Sequence, residues 1–411
     1  MTLPAPNPRK PVLVRAEGLH VWDADGRRYL DATSGAFCVS LGYTRPDIVR
    51  VMADAASRLP HARPSAFESE ESVRYREEVL AAAGAPYSRV VLTGSGSEAV
   101  EAAIKMAWRV QAARGHPGRR DILSLEGHFH GATLGALDVT GLGTRRGPYE
   151  ALLGPRAFGP PADCPRCFRA LRHPGCEIAC ANAALERAGV AAAFLAETIP
   201  ASGLGAPVPP PGWLARVRRR CDEAGALWIA DEVLAGFGRA GDLFAWRRLD
   251  ADAVPDFVVF GKGAGAGFAA IAGVLVSERV AAALEEGASG GGFAHHQTHG
   301  GNPIACAVGR RVLEALAEER VIEGVREAEA TFTRALDPLR RHPRVLDVRG
   351  LGFLRGIALR DEGAREAAAG CRARGVLVHA AEPGALLLAP PLIAREAEFE
   401  EIAGALAASL G

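Results

Sequence analysis

Lysine is almost missing from this 411-residue chain, in which Lys10, Lys105 and Lys262 stand against 45 arginines. Such a bias reflects a base-composition pressure that replaces lysine by arginine wherever charge alone matters. A lysine that remains is a candidate for chemistry that a guanidinium cannot perform, such as forming an imine, because a buried lysine amine can lose its proton. Chance survival is the alternative, above all for Lys10 in the tail and Lys105 on a predicted helix.

The chain also lacks an excess of charge and a long apolar run. Basic and acidic residues balance at 48 each, and the isoelectric point is near 7.2, which argues against nucleic acid or an anionic membrane as a partner. No stretch approaches the ~20 apolar residues of a membrane helix, and the proline-rich start has no apolar signal-peptide core. The eight cysteines do not indicate a disulfide scaffold in a chain of this length. We expect a soluble cytoplasmic protein.

Apolar runs alternating with amphipathic segments from Arg89 onward predict an α/β fold with a parallel sheet buried on both faces. Before them, two short strands are predicted around a turn at Asp25-Gly26. A long helix is predicted from Asn302, followed by a smaller α+β lobe. We expect an N-terminal segment over 1–60 that joins the small domain, a large domain over 61–305, and a C-terminal small domain over 306–411.

The segment 93–98, TGSGSE, stands between a predicted strand and a predicted helix. Free backbone amides at a helix N-terminus, with small hydroxyls beside them, bind phosphate. The same letters also match the G-x-G-x-x-A dinucleotide fingerprint, so a nicotinamide-dependent dehydrogenase is an alternative. A plain glycine turn before a helix is the other alternative.

Asp231 and Lys262 each follow an apolar run, at the sheet edge where open α/β folds bind ligands. A carboxylate there can pair with the protonated pyridine nitrogen of a cofactor, which makes the ring an electron sink. An amine in a partly desolvated place has a lowered pKa and suits imine formation and proton transfer. An aspartate that caps the next turn is the structural alternative, and no P-loop motif precedes the lysine.

These segments together resemble the class III aminotransferases, pyridoxal-phosphate enzymes of the aspartate-aminotransferase fold (fold type I). The resemblance covers nearly the whole chain, in family order and at family-like spacing. It is carried by VWDADGRRYLDATSG, GSGSEAVEAAIKMA, HFHGAT, IADEVLAGFGRAG, FGKG and THGGNPIACA. It implies a large domain with a mostly parallel seven-stranded sheet, a smaller α+β domain, and transfer of an amino group to a keto acid in a ping-pong cycle.

The resemblance also implies roles for individual residues. Lys262 would carry the cofactor as a Schiff base and move the substrate proton, while Asp231 would bind the pyridine nitrogen. Val233 and Phe129 would pack on the two ring faces, and His130 would contact the cofactor. Most relatives have tyrosine at position 129, so one hydroxyl contact is missing here.

At the phosphate, the resemblance implies a cradle of Ser95, Gly96 and Ser97. Thr298 would reach the phosphate from the second subunit, which implies a homodimer with shared active sites. Other reactions on the same scaffold, those of an aminomutase, a racemase or a decarboxylase, remain alternatives.

Two substrate residues follow from a resemblance to the omega-transaminase branch at AFCVSLGY and APPLIA. Phe37 stands where that branch commonly has tryptophan, which implies a wider pocket. Arg395 would be a mobile arginine that binds a substrate carboxylate, although it stands one residue earlier than the usual pattern. An exposed arginine at a helix start is the alternative.

Three further features have open interpretations. Glu197 follows an apolar run and is either close to the cofactor or a plain strand-end carboxylate. The H-x-H pair around position 129 is expected to bind no metal. Four cysteines of a Pro- and Arg-rich loop, Cys164, Cys167, Cys176 and Cys180, have loose zinc-site spacing, with unliganded thiols as the alternative.

Overall fold

The computed structural model describes residues 10–286, 295, 297–381 and 384–411, so the proline-rich start at 1–9 lies outside the described residues. The predicted hairpin is confirmed: its two strands pair antiparallel around a turn in which Gly26 has a φ of +82°. The Asp23 carboxylate accepts hydrogen bonds from two backbone amides of this turn. The elements here are β1 (Leu13–Glu17), β2 (His20–Asp23), β3 (Arg28–Asp31), the irregular turn α1 (Ser34–Phe37), α2 (Pro46–Arg58) and α3 (Glu70–Ala83).

Strands and helices alternate through the middle of the chain, as the apolar runs predict. The elements are β4 (Tyr87–Thr93), α4 (Gly96–Ala113), β5 (Asp121–Leu123), α5 (Leu134–Asp138), α6 (Gly143–Arg146), α7 (Ala179–Ala184), β6 (Ala191–Glu197), α8 (Trp213–Ala224), β7 (Leu227–Asp231), α9 (Ala245–Leu249), β8 (Phe257–Phe260), β9 (Ala272–Ser277) and α10 (Glu278–Glu286). Within the described ranges, no helix is long and apolar enough to cross a membrane.

The central sheet has the strand order β4-β9-β8-β7-β6-β5. The strands β5 to β8 are parallel neighbours, and β9 is antiparallel to both β8 and β4, so the sheet is mostly parallel as expected. It has six strands in the described part of the chain, and the expected count of seven is corrected. Beyond β5 the chain makes only isolated bridges, one of them at Gly159, and the two prolines that follow cannot donate to a ladder.

The C-terminal part contains two helices where one long helix is predicted. Arg320, with a left-handed φ of +50°, separates them. A four-stranded sheet, β10-β11-β14-β13, follows, while β12 pairs in parallel with β3 and joins the N-terminal hairpin to this part. The elements are α11 (Pro303–Glu318), α12 (Val321–Leu336), β10 (Val345–Leu351), β11 (Leu354–Leu359), α13 (Ala364–Ala373), β12 (Val376–Leu377), β13 (His379–Ala381), β14 (Ala385–Leu388) and α14 (Glu396–Leu410).

Both faces of the four inner strands of the central sheet are buried, which explains why these strands are mostly apolar. Every residue of β6 to β9 is buried, with Ile229 and Val259 on one face and Trp228 and Phe260 on the other. In a strand that is buried on both faces, polar side chains are tolerated only at its ends. The polar residues therefore collect at the carboxyl ends of the parallel strands.

The packing of α11 on α3 can be tested by a substitution at Gly309. Gly309 faces the fully buried ring of Tyr75, and a Cβ built at Gly309 would lie 2.7 Å from a ring carbon. We expect Gly309→Ala to lower the free energy of unfolding by about 1–3 kcal/mol, because the ring must move in a filled core. Gly404→Ala in α14 is the matched control: no atom lies within 4 Å, so it should be neutral or stabilise by up to about 1 kcal/mol. Equal urea midpoints for the two variants would contradict this account.

Candidate active site

The ends of β6, β7 and β8 meet at one pocket. In the parallel register Glu197 pairs with Asp231, and Lys262 follows β8 after a single glycine. The pocket between these strand ends and the start of α4 is lined by Gly96, Ser97, Phe129, His130, Gly131, Glu197, Ser202, Asp231, Val233, Leu234 and Lys262. The structure thus brings the predicted lysine, aspartate and phosphate loop together.

Asp231 is held in place by two hydrogen bonds. One of its carboxylate oxygens lies 2.8 Å from Nδ1 of His130, and the other accepts from the backbone amide of Val233 at 3.0 Å. Both side chains of the Asp231–His130 pair are buried. The backbone amide of His130 donates to the Thr140 hydroxyl at 3.0 Å, which fixes the loop that carries the imidazole. Asp231 is therefore a fixed carboxylate facing the pocket.

Glu197 is a second buried carboxyl beside Asp231. It accepts from the backbone amides of Phe129 at 2.9 Å and Ala201 at 3.2 Å, and its own amide donates to Nδ1 of His128. Burial, and then the charge of Asp231, raises the pKa of Glu197 to about 7. The open question about Glu197 is answered in part, because it lines the pocket and ties the Phe129 loop to the sheet.

Lys262 stands in an unusual backbone conformation, with a φ of +43° that residues other than glycine rarely adopt. Its Nζ lies 5.4 Å from the centre of the Phe37 ring. Burial lowers the pKa of the amine, against the opposing effect of Glu197 and Asp231. A lysine amine with a lowered pKa is more often neutral, which is the form that attacks a carbonyl.

The phosphate loop forms the other end of the pocket. Gly96 and Ser97 are the first residues of α4, where backbone amides have no partner within the helix. The Ser97 hydroxyl accepts from the amide of Ala132 at 3.1 Å, so its own proton points elsewhere. A Cβ at position 96 would lie 2.9 Å from a methyl group of Val233, so this place requires glycine.

Ser95 is the N-cap of α4. Its hydroxyl accepts from the amide of Glu98 at 3.3 Å and caps α4, and Ser95 is not among the residues that line the pocket. An N-cap hydroxyl turns back toward its own helix. A contact of Ser95 with the phosphate stays a prediction.

The remaining predicted residues divide into two groups. Phe129, Val233 and His130 line the pocket. Phe37 is not a lining residue, but the centre of its ring lies 5.4 Å from Nζ of Lys262, which lines the pocket. Thr298 is exposed in a turn and lies outside the pocket of its own chain.

Arg395 does not line the pocket in this structure, and its role as a mobile substrate-binding arginine stays a prediction. It is the exposed N-cap of α14, and its guanidinium donates to the carbonyls of Ala394 and Leu392 and lies near Gly324 of α12. The alternative of an arginine at a helix start describes it better. Its position is set by the first turn of α14, which spacing along the chain does not reveal.

Three pocket residues were not singled out from the sequence: Gly131, Ser202 and Leu234. Gly131 and Leu234 stand within quoted motifs, so their signal was present, whereas Ser202 stands in none of them. Gly131 has a φ of +145°, and a Cβ there would lie 2.5 Å from the Ser97 hydroxyl. This glycine allows the Phe129 loop to approach the phosphate loop.

The four-cysteine loop folds around a small cavity. Cys164, Cys167, Cys176 and Cys180 line a space of about 20 Å³ together with His173, and all four thiols are free. Among the residues that the structure describes, no group of three or more His, Cys, Asp or Glu side chains is arranged to hold a metal ion.

Comparison with known proteins shows to which family the chain belongs. The family model "Aminotransferase class-III" matches residues 5–410. The chain belongs to the class III aminotransferases. It is 36% identical to an acetylornithine aminotransferase of Xylella fastidiosa over 100% of this chain and 94% of that protein. It is 31% identical to an adenosylmethionine-8-amino-7-oxononanoate aminotransferase of Nitratidesulfovibrio vulgaris, over 95% and 75% of the two chains.

Solved structures agree with the fold. An amine transaminase from an uncultivated Pseudomonas species, in its PLP-bound form, matches with a TM-score of 0.92, 30% identity and coverage of 99% and 96%. An omega transaminase variant from Pseudomonas jessenii matches with a TM-score of 0.93, 25% identity and coverage of 100% and 96%. The protein is a pyridoxal-phosphate-dependent aminotransferase of fold type I, and neither the dehydrogenase nor the other reactions on this scaffold are favoured.

The pocket of this aminotransferase fits pyridoxal phosphate. A buried aspartate suits a protonated pyridine nitrogen, and a desolvated lysine amine suits the aldehyde. The helix start whose glycine leaves no space for a Cβ suits the phosphate. The cofactor supplies an aldehyde that condenses with amines and a ring that withdraws electrons from the substrate carbon.

The buried carboxyl of Glu197 generates a pH prediction. Its pKa is raised from 4.5 to about 7, so its contribution to folding is fully present below pH 4.5 and is lost as the pH rises to about 7. Glu197→Gln removes this loss. Relative to the wild-type apoenzyme, the variant should gain up to about 3 kcal/mol between pH 4.5 and 7.5.

Urea unfolding at these two pH values measures the difference between variant and wild type. Glu400→Gln, at an exposed position of α14, is the control for loss of one carboxylate. A Glu197→Gln difference that does not change with pH would show that folding does not raise the pKa of this carboxyl, which contradicts the prediction.

Proposed function

We propose that this aminotransferase transfers an amino group from an amine or amino acid to a keto acid with Lys262 and Asp231 as its catalytic residues. The observation that carries the proposal is the meeting of three separate features in one pocket. These are a desolvated amine after β8, a buried carboxylate at the end of β7, and the free amides at the start of α4.

Lys262 has two tasks in this proposal. Its Nζ holds the cofactor covalently between turnovers, and it takes and returns the proton at the reacting carbon of the substrate. Both tasks need an amine that is neutral part of the time, which burial favours. The left-handed backbone at Lys262 fixes the direction in which the side chain leaves β8.

Asp231 would hold the pyridine nitrogen in its protonated form. His130 is a positioning residue for this carboxylate, because it occupies one oxygen at 2.8 Å while the Val233 amide occupies the other. With both oxygens hydrogen-bonded, the carboxylate is held in one orientation at the pocket.

The other cofactor contacts follow from the shape of the pocket. The side chains of Phe129 and Val233 line it and would pack on the two faces of the ring. Gly96 and Ser97 would bind the phosphate through the first amides of α4, and Ser97 would add its hydroxyl.

We further propose a homodimer in the cytoplasm, in which Thr298 of each subunit completes the phosphate site of the other. The exposure of Thr298 on its own chain supports this arrangement. The proposed division of the chain remains an N-terminal segment over 1–60, a large domain over 61–305 and a small domain over 306–411. The pairing of β3 with β12 supports assigning the N-terminal hairpin to the small domain.

Replacing the lysine tests the proposal. Lys262→Ala should lower turnover by at least about 10³-fold, because both the covalent link and the proton carrier are lost. The variant should still bind the cofactor non-covalently, through Asp231 and the phosphate loop. Lys10→Ala, at an exposed position, is the matched control and should keep full activity.

The readouts are steady-state turnover with a panel of amino donors against pyruvate and 2-oxoglutarate, and cofactor retention after dialysis. Near-normal turnover of the Lys262→Ala variant would refute the role of this lysine. Loss of all cofactor affinity in the variant would contradict the roles of Asp231 and α4.

A further inference from the structure

The turn that follows β3, residues 33–37, has a backbone that is rare for its side chains. Ser34 has a φ of +49° and Phe37 a φ of +66°, and Gly35 between them has a φ of +67°. Residues other than glycine seldom adopt this left-handed region, and for a bulky side chain such as phenylalanine it is a strained conformation. Contacts with the rest of the chain must therefore hold the turn in place.

The carboxylate of Asp31, the last residue of β3, makes four contacts of this kind. One oxygen accepts hydrogen bonds from the backbone amide and the hydroxyl of Thr33, at 2.9 and 2.6 Å. The other oxygen accepts from the backbone amide of Gly35 and from the Tyr43 hydroxyl, both at 2.5 Å. Asp31 is buried, so these donors would be costly to leave without an acceptor.

A second anchor holds a different part of the turn. The Ser34 hydroxyl donates to the Ala389 carbonyl at 2.6 Å and accepts from the Arg239 guanidinium at 3.2 Å. Both contacts act on the Ser34 side chain. The backbone amides on either side of Ser34 depend instead on Asp31, which therefore controls how the chain leaves the turn.

The Phe37 ring at the end of the turn lies beside the lysine of the pocket. The centre of the ring is 5.4 Å from Nζ of Lys262. The ring also contacts the His379 imidazole edge to face, at 5.3 Å between ring centres. Phe37 is buried in one apolar cluster with Leu234, which lines the pocket. The ring therefore occupies space next to the lysine amine, and the backbone of the turn sets its place.

We propose that Asp31 is a positioning residue of the active site, which holds the turn in its strained conformation and so keeps the Phe37 ring beside Lys262. Asp31 acts through the ring and touches neither substrate nor cofactor. A ring that is fixed beside the amine limits the size of the nitrogen compound that reaches the bond between lysine and cofactor. The inference rests on the proposed function of Lys262 and assigns how access to that lysine is controlled.

Asparagine at position 31 perturbs these contacts with little change of shape. It replaces one acceptor oxygen of Asp31 by an NH₂ group, which can only donate. Whichever way the amide is turned, one pair of donors loses its acceptor, and that pair includes the backbone amide of either Thr33 or Gly35. Asp25→Asn, the same change at an exposed position of the preceding turn, is the matched control.

The test treats the holoenzyme with two reagents that share one chemistry and differ in size, hydroxylamine and O-benzylhydroxylamine. The reagent nitrogen bonds to the cofactor carbon, the bond from that carbon to Nζ breaks, and Lys262 leaves as an amine. Cofactor absorbance gives the rate. Asp31→Asn should raise the rate with O-benzylhydroxylamine by about 2- to 10-fold, as expected for loss of one hydrogen bond, and the rate with hydroxylamine less. Asp25→Asn should keep both wild-type rates.

A double-mutant cycle separates positioning from a general loosening of the fold. Since Asp31 acts through the ring, Asp31→Asn should change neither rate in a Phe37→Ala background. Gly35→Ala releases the turn in a second way, because a side chain is strained at a φ of +67° and its Cβ would lie 3.4 Å from Val39. This variant should accelerate the larger reagent even where Asp31→Asn does not fold.

Unchanged rates in folded Asp31→Asn and Gly35→Ala variants would overturn the proposal. Equal acceleration of the two reagents, or an acceleration that persists in the Phe37→Ala background, would overturn it as well. Failure of the proposed function is a distinct result: the wild-type holoenzyme would react with neither reagent, or borohydride reduction would place the cofactor on a lysine other than Lys262.

Discussion

The buried contact between His130 and Asp231 is the constraint on which the rest of the site depends. A carboxylate in an apolar sheet end is costly unless its oxygens are hydrogen-bonded, and here an imidazole and a backbone amide occupy them. Because the imidazole comes from the Phe129 loop, the same contact draws that loop over the strand ends. The Gly131 conformation then allows the loop to touch α4 at Ser97. One buried pair thus joins the sheet, the loop and the phosphate-binding helix.

The desolvation that makes this pair costly is also what prepares the site for chemistry. It raises the pKa of Glu197 and lowers that of Lys262, so a carboxyl and an amine of one pocket both approach neutrality. The apolar strands that create this environment also contribute buried side chains to the hydrophobic core on both faces of the sheet. Fold stability and reactivity therefore have a common origin in the burial of β6, β7 and β8.

The sequence predicted Asp231, Lys262 and the phosphate loop because each follows an apolar strand, and parallel strands end at one edge. It could not separate two uses of one serine: a strand-serine-helix segment has the same letters whether the hydroxyl caps the helix, as at Ser95, or faces a ligand. The sequence also did not show where the Arg395 side chain points, because this depends on how α14 packs on α12. The strand count came from the resemblance alone, and the prolines after Gly159 stop the chain from adding a strand.

Contacts between distant parts of the chain were beyond any local pattern. His130 and Asp231 are 101 positions apart, and Phe129 and Glu197 are 68 apart. The motifs showed that these residues matter, but only the register of β6 with β7 and the path of the Phe129 loop show that they touch.

We propose that one lysine, Lys262, which follows β8 in the same pocket as Asp231, carries the cofactor. Borohydride reduction of the holoenzyme, followed by peptide mapping, tests it most directly, because reduction makes the lysine–cofactor bond permanent. A single modified peptide, labelled at Lys262, is expected. A label on Lys10 or Lys105, the other lysines of the chain, would contradict it.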